Sequence, residues 1–159
     1  MAARTRRRKN NNMFRYFPTN YVWNLSVNLA IEMGARIGEI VEMCEPLQEA
    51  AKQPDAAGTR AFREAWSKTA DKLCDLARED EEKGRLLSAG EKYNRAATYY
   101  LTGERLQAHG APGRMELYQR FLDTFARGIA LSGENCERVE IPYEGKVISG
   151  LFIRAKGVQ

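Results

Sequence analysis

The residues that most constrain the fold lie near the end of the sequence, in the stretch RVEIPYEGKVISGLFIRAK from Arg138 to Lys156. This pattern predicts two short strands on either side of a Glu144-Gly145 turn, with a half-buried first strand and a bulge at Gly150. A lone two-stranded hairpin is only marginally stable in water. We therefore expect the hairpin to pack on other elements or to begin a larger sheet.

Ahead of the hairpin, apolar residues recur every three or four positions in four stretches, at about 20–44, 59–83, 88–109 and 112–131. Gly34 and Gly38 are expected to break or bend the first helix. Ser88 and Glu91 have the spacing of a capping box, which predicts the start of the third helix. The fold class is mainly α: a bundle of about four to five helices followed by a C-terminal β-hairpin.

These patterns divide the 159 residues into three parts. Residues 1–12 are a basic leader that we expect to be disordered, residues 13–133 a helical domain, and residues 134–159 the hairpin, the start of a truncated sheet. The basic residues are concentrated at the N-terminal end: residues 1–15 hold six of them and no acid, so the rest of the chain has a net charge of −2, against +4 for the whole. Three asparagines precede Met13, so the functional start of the protein is either Met1 or Met13.

Composition argues against several classes of protein. No apolar run approaches the roughly 20 residues of a membrane helix, and the basic start lacks the apolar region of a secretory signal, so we expect a cytoplasmic protein without a membrane partner. Cys44, Cys74 and Cys136 are odd in number and widely spaced, which predicts reduced thiols and no zinc site. There is no phosphate loop, His-Glu-x-x-His or calcium loop, so no cofactor and no metal is predicted.

No catalytic residue is predicted from the motifs. None of the serines lies in a Gly-x-Ser-x-Gly frame, and the only histidine, His109, falls at a predicted helix end where the helix dipole favours an imidazolium. Aromatic side chains with polar tips are the remaining candidates for a substrate pocket. We name Tyr93, Tyr99, Tyr100 and Trp23 as pocket candidates, with burial in the core as the alternative for each.

Several segments together resemble a known family. They are Ala61-Phe-Arg-Glu-Ala-Trp66, Gly84-Arg-Leu-Leu-Ser-Ala89, Lys92-Tyr-Asn-Arg-Ala-Ala-Thr-Tyr-Tyr100, Pro112-Gly-Arg114 with Tyr118-Gln-Arg-Phe121, and the hairpin. In this order they resemble the N-terminal part of α/β-hydrolases related to 2,6-dihydroxypseudooxynicotine hydrolase. Fungal polyketide-shortening hydrolases and the fermentation/respiration switch protein are similar more distantly.

The resemblance implies that the helices form a lid over an active site and that the hairpin supplies the first two strands of the hydrolase sheet. It implies serine-type hydrolysis of a carbon–carbon or ester bond next to a carbonyl, on a small aromatic substrate, for a full-length relative. The nucleophile elbow, acid and histidine would follow Lys156 and are not in the sequence, so whether the chain is an enzyme stays open. We expect a truncated product, a fragment or one half of a split protein, inactive alone and either poorly soluble or a homodimer, whose partner is the missing catalytic domain.

Two other functions are compatible with the sequence. The segment Ala89–Tyr100 resembles one helix of a tetratricopeptide repeat, which would make the chain a protein-interaction module, although no second copy of the pattern is found. The basic leader could instead contact nucleic acid, which predicts salt-dependent binding lost on deleting residues 1–12. We do not expect a nucleic-acid partner, because nothing else in the chain resembles a nucleic-acid module.

Overall fold

The computed structural model describes residues 14–53, 56–133, 135–155 and 157. The predicted leader and Met13 lie outside the described residues. The elements, in chain order, are α1 (Tyr21–Glu32), α2 (Ile37–Cys44), two short 3₁₀ turns (Glu45–Leu47 and Ala50–Lys52), α3 (Ala56–Glu82), α4 (Leu86–Arg105), α5 (Arg114–Ser132), β1 (Cys136–Tyr143) and β2 (Lys146–Ile153). This order confirms the predicted fold class, a mainly helical domain followed by a two-stranded antiparallel hairpin. Among the described residues, no helix is long and apolar enough to cross a membrane.

The first predicted helix is two helices, separated at Gly34. This glycine has a φ of +94°, a left-handed conformation that glycine adopts at little cost. The chain turns there with a hydrogen bond from the Ala35 N–H to the Ala30 carbonyl (2.9 Å). Gly38 lies inside α2 and does not interrupt it. The break lets α1 and α2 contact the rest of the bundle from different directions.

Helix α4 is the centre of the helical domain, because it packs against both α3 and α5. Most residues of α4 are buried. Small side chains are needed at the positions where the backbone of a neighbouring helix comes close. Gly90 is such a position: a Cβ there would lie 2.8 Å from the Ser132 nitrogen of α5. Gly128 of α5 leaves similar room for Asn94 of α4. These contacts explain the glycines inside otherwise regular helices.

Aromatic side chains link the N-terminal part of the chain to this bundle. Successive rings are in contact, with centroid separations of 5.3, 4.9, 5.1 and 5.5 Å along Phe17, Trp23, Phe62, Trp66 and Tyr99. All five side chains are buried. The series runs from the segment before α1 through α3 to α4, so it joins these elements in one apolar core.

The start of α4 differs from the sequence-based prediction. The helix begins at Leu86, and no side chain caps it. The Ser88 hydroxyl instead donates to the Asp80 carboxylate (2.6 Å), which also accepts from the Lys92 ammonium group. The prediction of a capping box was therefore wrong. The Asp80 carboxylate, at the end of α3, binds the serine that was expected to cap α4. Asp80 is mostly covered by these partners.

The hairpin forms with the predicted turn but without the predicted bulge. Glu144 and Gly145 both have positive φ (46° and 73°), as a two-residue type I′ turn requires. The register is regular from Tyr143 opposite Lys146 to Cys136 opposite Ile153, and Gly150 pairs directly with Val139. The first strand is not half-buried as predicted, since only Cys136 and Val139 are even partly covered.

Candidate functional site

Two of the four pocket candidates lie in the core between α1, α2, α3 and α4. Trp23 packs between Phe17 and Phe62. Tyr99 packs edge-on against Trp66, while its hydroxyl donates to the Glu39 carboxylate and accepts from the Arg36 N–H (3.2 Å). Burial, reinforced by the Glu39 hydrogen bond, raises the pKa of Tyr99 well above its usual value, so the phenol stays neutral.

The other two candidates, Tyr93 and Tyr100, lie two turns apart on the side of α4 that faces a groove between α3 and α5. We call this the α3–α5 groove, and its sides are formed by Asp71, Cys74, Asp75, Arg78, Glu81, Glu82, Arg120, Asp123 and Thr124. The structure therefore brings Tyr93 and Tyr100 to one groove and places Trp23 and Tyr99 elsewhere.

One end of the α3–α5 groove is a cleft of about 310 Å³ beside Tyr100. The Tyr100 hydroxyl donates to the Asp71 carboxylate (2.5 Å) and accepts from the Arg120 guanidinium (2.6 Å). Arg120 also lies over the tyrosine ring, 4.4 Å from its centroid, and pairs with Asp71. Burial, followed by the Asp71 hydrogen bond, raises the pKa of Tyr100 far above its usual range.

The second cleft, of about 420 Å³, lies beside Tyr93. The Tyr93 hydroxyl donates to the Glu81 carboxylate (3.4 Å), which also pairs with Arg127 of α5. Burial raises the pKa of Tyr93 as well. Arg120 and Arg127 of α5 thus each pair with a carboxylate of α3 that also accepts a hydrogen bond from a tyrosine of α4.

These contacts indicate what the α3–α5 groove can do chemically. Its tyrosines are neutral hydrogen-bonding groups with raised pKa values, and neither is poised to accept a proton near neutral pH. The described carboxylates Asp71 and Glu81 are each paired with an arginine. The groove therefore has the character of a polar helix–helix contact with open space above it.

The cysteines and the histidine add no reactive cluster. Cys44 and Cys74 are buried, and burial raises the pKa of Cys44 to about 12. His109 is exposed in the connection between α4 and α5. In the part of the chain that the structure describes, no group of three or more histidine, cysteine or acidic side chains is arranged to hold a metal ion.

The most unusual surface belongs to the hairpin. Its register places Val139, Ile141, Tyr143, Ile148 and Phe152 on one face, and Pro142, Val147, Leu151 and Ile153 on the other. All residues of β2 are exposed, including Phe152 (50%) and Ile153 (72%). Strands with apolar side chains on both faces are typical of sheets covered on both sides.

The outward side of α5 is a second exposed apolar surface. Leu117 is buried toward the bundle, whereas exposed apolar side chains lie along the other side at Met115, Tyr118 and Leu122. Helix α5 is therefore apolar on two sides, although only one of them has a partner among the described elements. Apolar surface of this kind marks sites of interaction.

The comparisons with known proteins give no family for the chain. No family model matches it, and no curated protein is significantly similar.

Sequence reasoning missed the ion pairs that form the α3–α5 groove. A signal was present: Tyr93 and Tyr100 are seven residues apart, as are Arg120 and Arg127, and a spacing of seven returns to the same side of a helix. What the sequence could not supply is the alignment of α3 with α5, which brings Asp71 and Glu81 to these arginines.

Proposed function

We propose that this chain is the N-terminal lid of an α/β-hydrolase, with the hairpin as the start of the catalytic sheet. The observation that carries the proposal is the hairpin, whose two strands are apolar and exposed on both faces. A pair of strands with this pattern is suited to a sheet that has cover on both sides and further strands at its edge.

The order of the elements supports the same proposal. The segments that resemble the hydrolases fall in α3, α4, α5 and the hairpin. A lid domain must also be stably folded in order to cover a site. The aromatic core supplies this stability from contacts among the helices themselves. The exposed apolar side of α5 provides a surface for contact with a catalytic domain.

In this proposal the described residues exclude water and contact substrate, while the bond cleavage belongs to the catalytic domain. Serine-type hydrolysis needs a nucleophile, a base and an acid within hydrogen-bond reach. Among the described serines, the hydroxyls of Ser26 and Ser132 donate to backbone carbonyls and that of Ser88 to Asp80. None of the described hydrogen bonds joins a serine or cysteine to His109.

The first test is the coding sequence that follows residue 159, examined in all three reading frames. We expect a Gly-x-Ser-x-Gly segment followed by an acidic residue and a histidine in the order of the hydrolase triad. A clean stop codon with no such sequence nearby would contradict the proposal.

The second test compares activities on p-nitrophenyl butyrate. The chain of 159 residues is expected to show no turnover above buffer, whereas the product that includes the downstream sequence is expected to hydrolyse the ester and to be labelled by a fluorophosphonate probe. The matched control is the longer product with serine replaced by alanine in Gly-x-Ser-x-Gly. Turnover by the 159-residue chain, or an active longer product that the probe does not inhibit, would refute the assignment.

A further inference from the structure

We propose that β2 is a dimerisation edge, at which the chain pairs with β2 of a second copy to form a four-stranded antiparallel sheet. This inference concerns the 159-residue chain by itself and does not depend on the hydrolase proposal. It follows from a difference between the two edges of the hairpin.

The outer edge of β1 carries features that oppose strand pairing. Glu137, Arg138 and Glu140 place charges along the strand, and Pro142 has no N–H to donate. By contrast, the seven residues of β2 from Val147 to Ile153 contain no charge and no proline. Short, apolar, uncharged segments of this kind are the ones that pair with identical segments.

The hydrogen-bond pattern identifies which backbone groups of β2 are free to pair. The N–H of Arg154 donates to the carbonyl of Asn135 (3.0 Å), so these two residues form a hydrogen-bonded pair. Hydrogen-bonded and non-hydrogen-bonded pairs alternate along an antiparallel ladder. The N–H and C=O groups that point away from β1 are therefore those of Val147, Ser149, Leu151 and Ile153.

The same alternation places the missing N–H of Pro142 on the outer side of β1, opposite Val147. Proline in a sheet is confined to such edge positions. The outer edge of β1 thus has an interrupted ladder, whereas the outer edge of β2 has a complete one. Of the two edges, only that of β2 can extend the sheet along its full length.

The register of the dimer follows from the position of Gly150 at the centre of the uncharged segment. Antiparallel pairing about Gly150 places Ser149 opposite Leu151 of the second copy and Val147 opposite Ile153 of the second copy, with all outward backbone groups paired. The same register places Lys146 opposite Arg154 of the second copy at each end of the uncharged segment. These like charges are offset by Glu137, which pairs with Arg154 (2.8 Å). The two apolar faces of the hairpin become continuous across the new sheet.

The test is sedimentation velocity over a range of chain concentrations, with single substitutions at the two edges. Ser149→Pro removes an outward N–H of β2, and we expect the dimer to weaken by about tenfold or more because two hydrogen bonds are lost across the twofold axis. Ser149→Ala is the matched control, because it removes the side-chain contact with Arg138 and keeps the N–H. Glu140→Pro is the control for β1, and both controls are expected to dimerise like the unaltered chain.

A chain that stays monomeric at high concentration would overturn the inference. So would a Ser149→Pro variant that dimerises normally, or a Glu140→Pro variant that does not. Circular dichroism of each variant checks that the helical domain is intact.

A crosslink gives a second test that does not rely on a disruptive substitution. Gly150→Cys, made with Cys136→Ser, places two thiols across the proposed twofold axis, where opposing Cα atoms are about 4.5 Å apart. A Cβ at residue 150 has room, since its nearest contact is the Val139 methyl at 3.8 Å. We expect a disulfide-linked dimer on mild oxidation and none for Glu140→Cys in the same background. A crosslink at residue 140 instead of residue 150 would assign the interface to β1.

Discussion

At the scale of single residues, the close approach of α4 to α5 depends on glycine at position 90. We expect Gly90→Ala to lower the free energy of unfolding by about 1–3 kcal/mol, because a Cβ there would lie 2.8 Å from the Ser132 nitrogen and 3.0 Å from the Leu131 carbonyl carbon, which are backbone atoms that cannot turn aside. Chemical denaturation followed by circular dichroism measures the change.

Gly103 provides the matched control, since it also lies inside α4. A Cβ there would lie 3.4 Å from the Trp66 Cβ, close to an ordinary contact. Gly103→Ala is expected to leave stability unchanged or to raise it by up to about 1 kcal/mol, because alanine favours the helix. Equal effects of the two substitutions would mean that the α4–α5 contact does not limit the side chain at position 90.

The junction between α3 and α4 depends on the charge of Asp80. Hydrogen bonds from Lys92 and Ser88 lower the pKa of Asp80 to about 2. Because the pKa is lower in the folded chain than the value of about 4 that aspartate has in an unfolded chain, the charged carboxylate stabilises the fold above about pH 4, and this contribution is lost as pH falls toward 2. We expect Asp80→Asn to be less stable than the unaltered chain at pH 7, with the difference shrinking between pH 4 and pH 2.

Thermal melts of both proteins across this pH range check the expectation. Asp75→Asn is the control, since Asp75 is exposed and its partner Arg78 lies one turn away on the same helix. A stability difference between the unaltered chain and Asp80→Asn that is constant from pH 7 to pH 2 would show that the Asp80 charge is not what stabilises the junction.

At the scale of elements, periodicity predicted the helices and turn chemistry predicted the hairpin. Gly34 marked the break between α1 and α2, and Glu144-Gly145 marked the turn, because both depend on local backbone conformation. The start of α4 was predicted two residues late, since the side chain of Asp80 binds Ser88 from the preceding helix. Contacts of that kind depend on how two elements meet, which the sequence pattern of either element alone does not contain.

The candidate site shows the same division between local and tertiary information. Tyr93 and Tyr100 were named as pocket candidates because aromatic side chains with polar tips can line a site. Their spacing did not reveal that Arg120 donates to Tyr100, or that Arg127 pairs with the carboxylate that accepts from Tyr93. Alternation along β1 predicted a half-buried strand, whereas the side chain of Ile141 is 58% exposed. The alternation of residues shows which face of a strand is apolar. It does not show whether another element packs on that face.

At the scale of the whole molecule, the chain combines a helical domain that has its own core with a hairpin that has little cover. The helical domain contains a connected series of five buried aromatic rings from Phe17 to Tyr99, while β2 is exposed along its whole length. Isolated hairpins are marginally stable, whereas packed helical domains unfold with free energies of about 5–15 kcal/mol. The two parts are therefore expected to differ widely in stability within one molecule.

Hydrogen–deuterium exchange on the full chain, at a concentration low enough for the monomer, tests this claim most directly. Backbone amides of α4 are expected to exchange at least about a thousandfold more slowly than those of β2, because opening the hairpin leaves the aromatic core intact. Raising the concentration is expected to protect the outward amides of Ser149 and Leu151. Amides of β2 that are protected as strongly as those of α4 in the monomer would contradict the account, since the hairpin would then be part of the helical fold and not an edge that requires a partner.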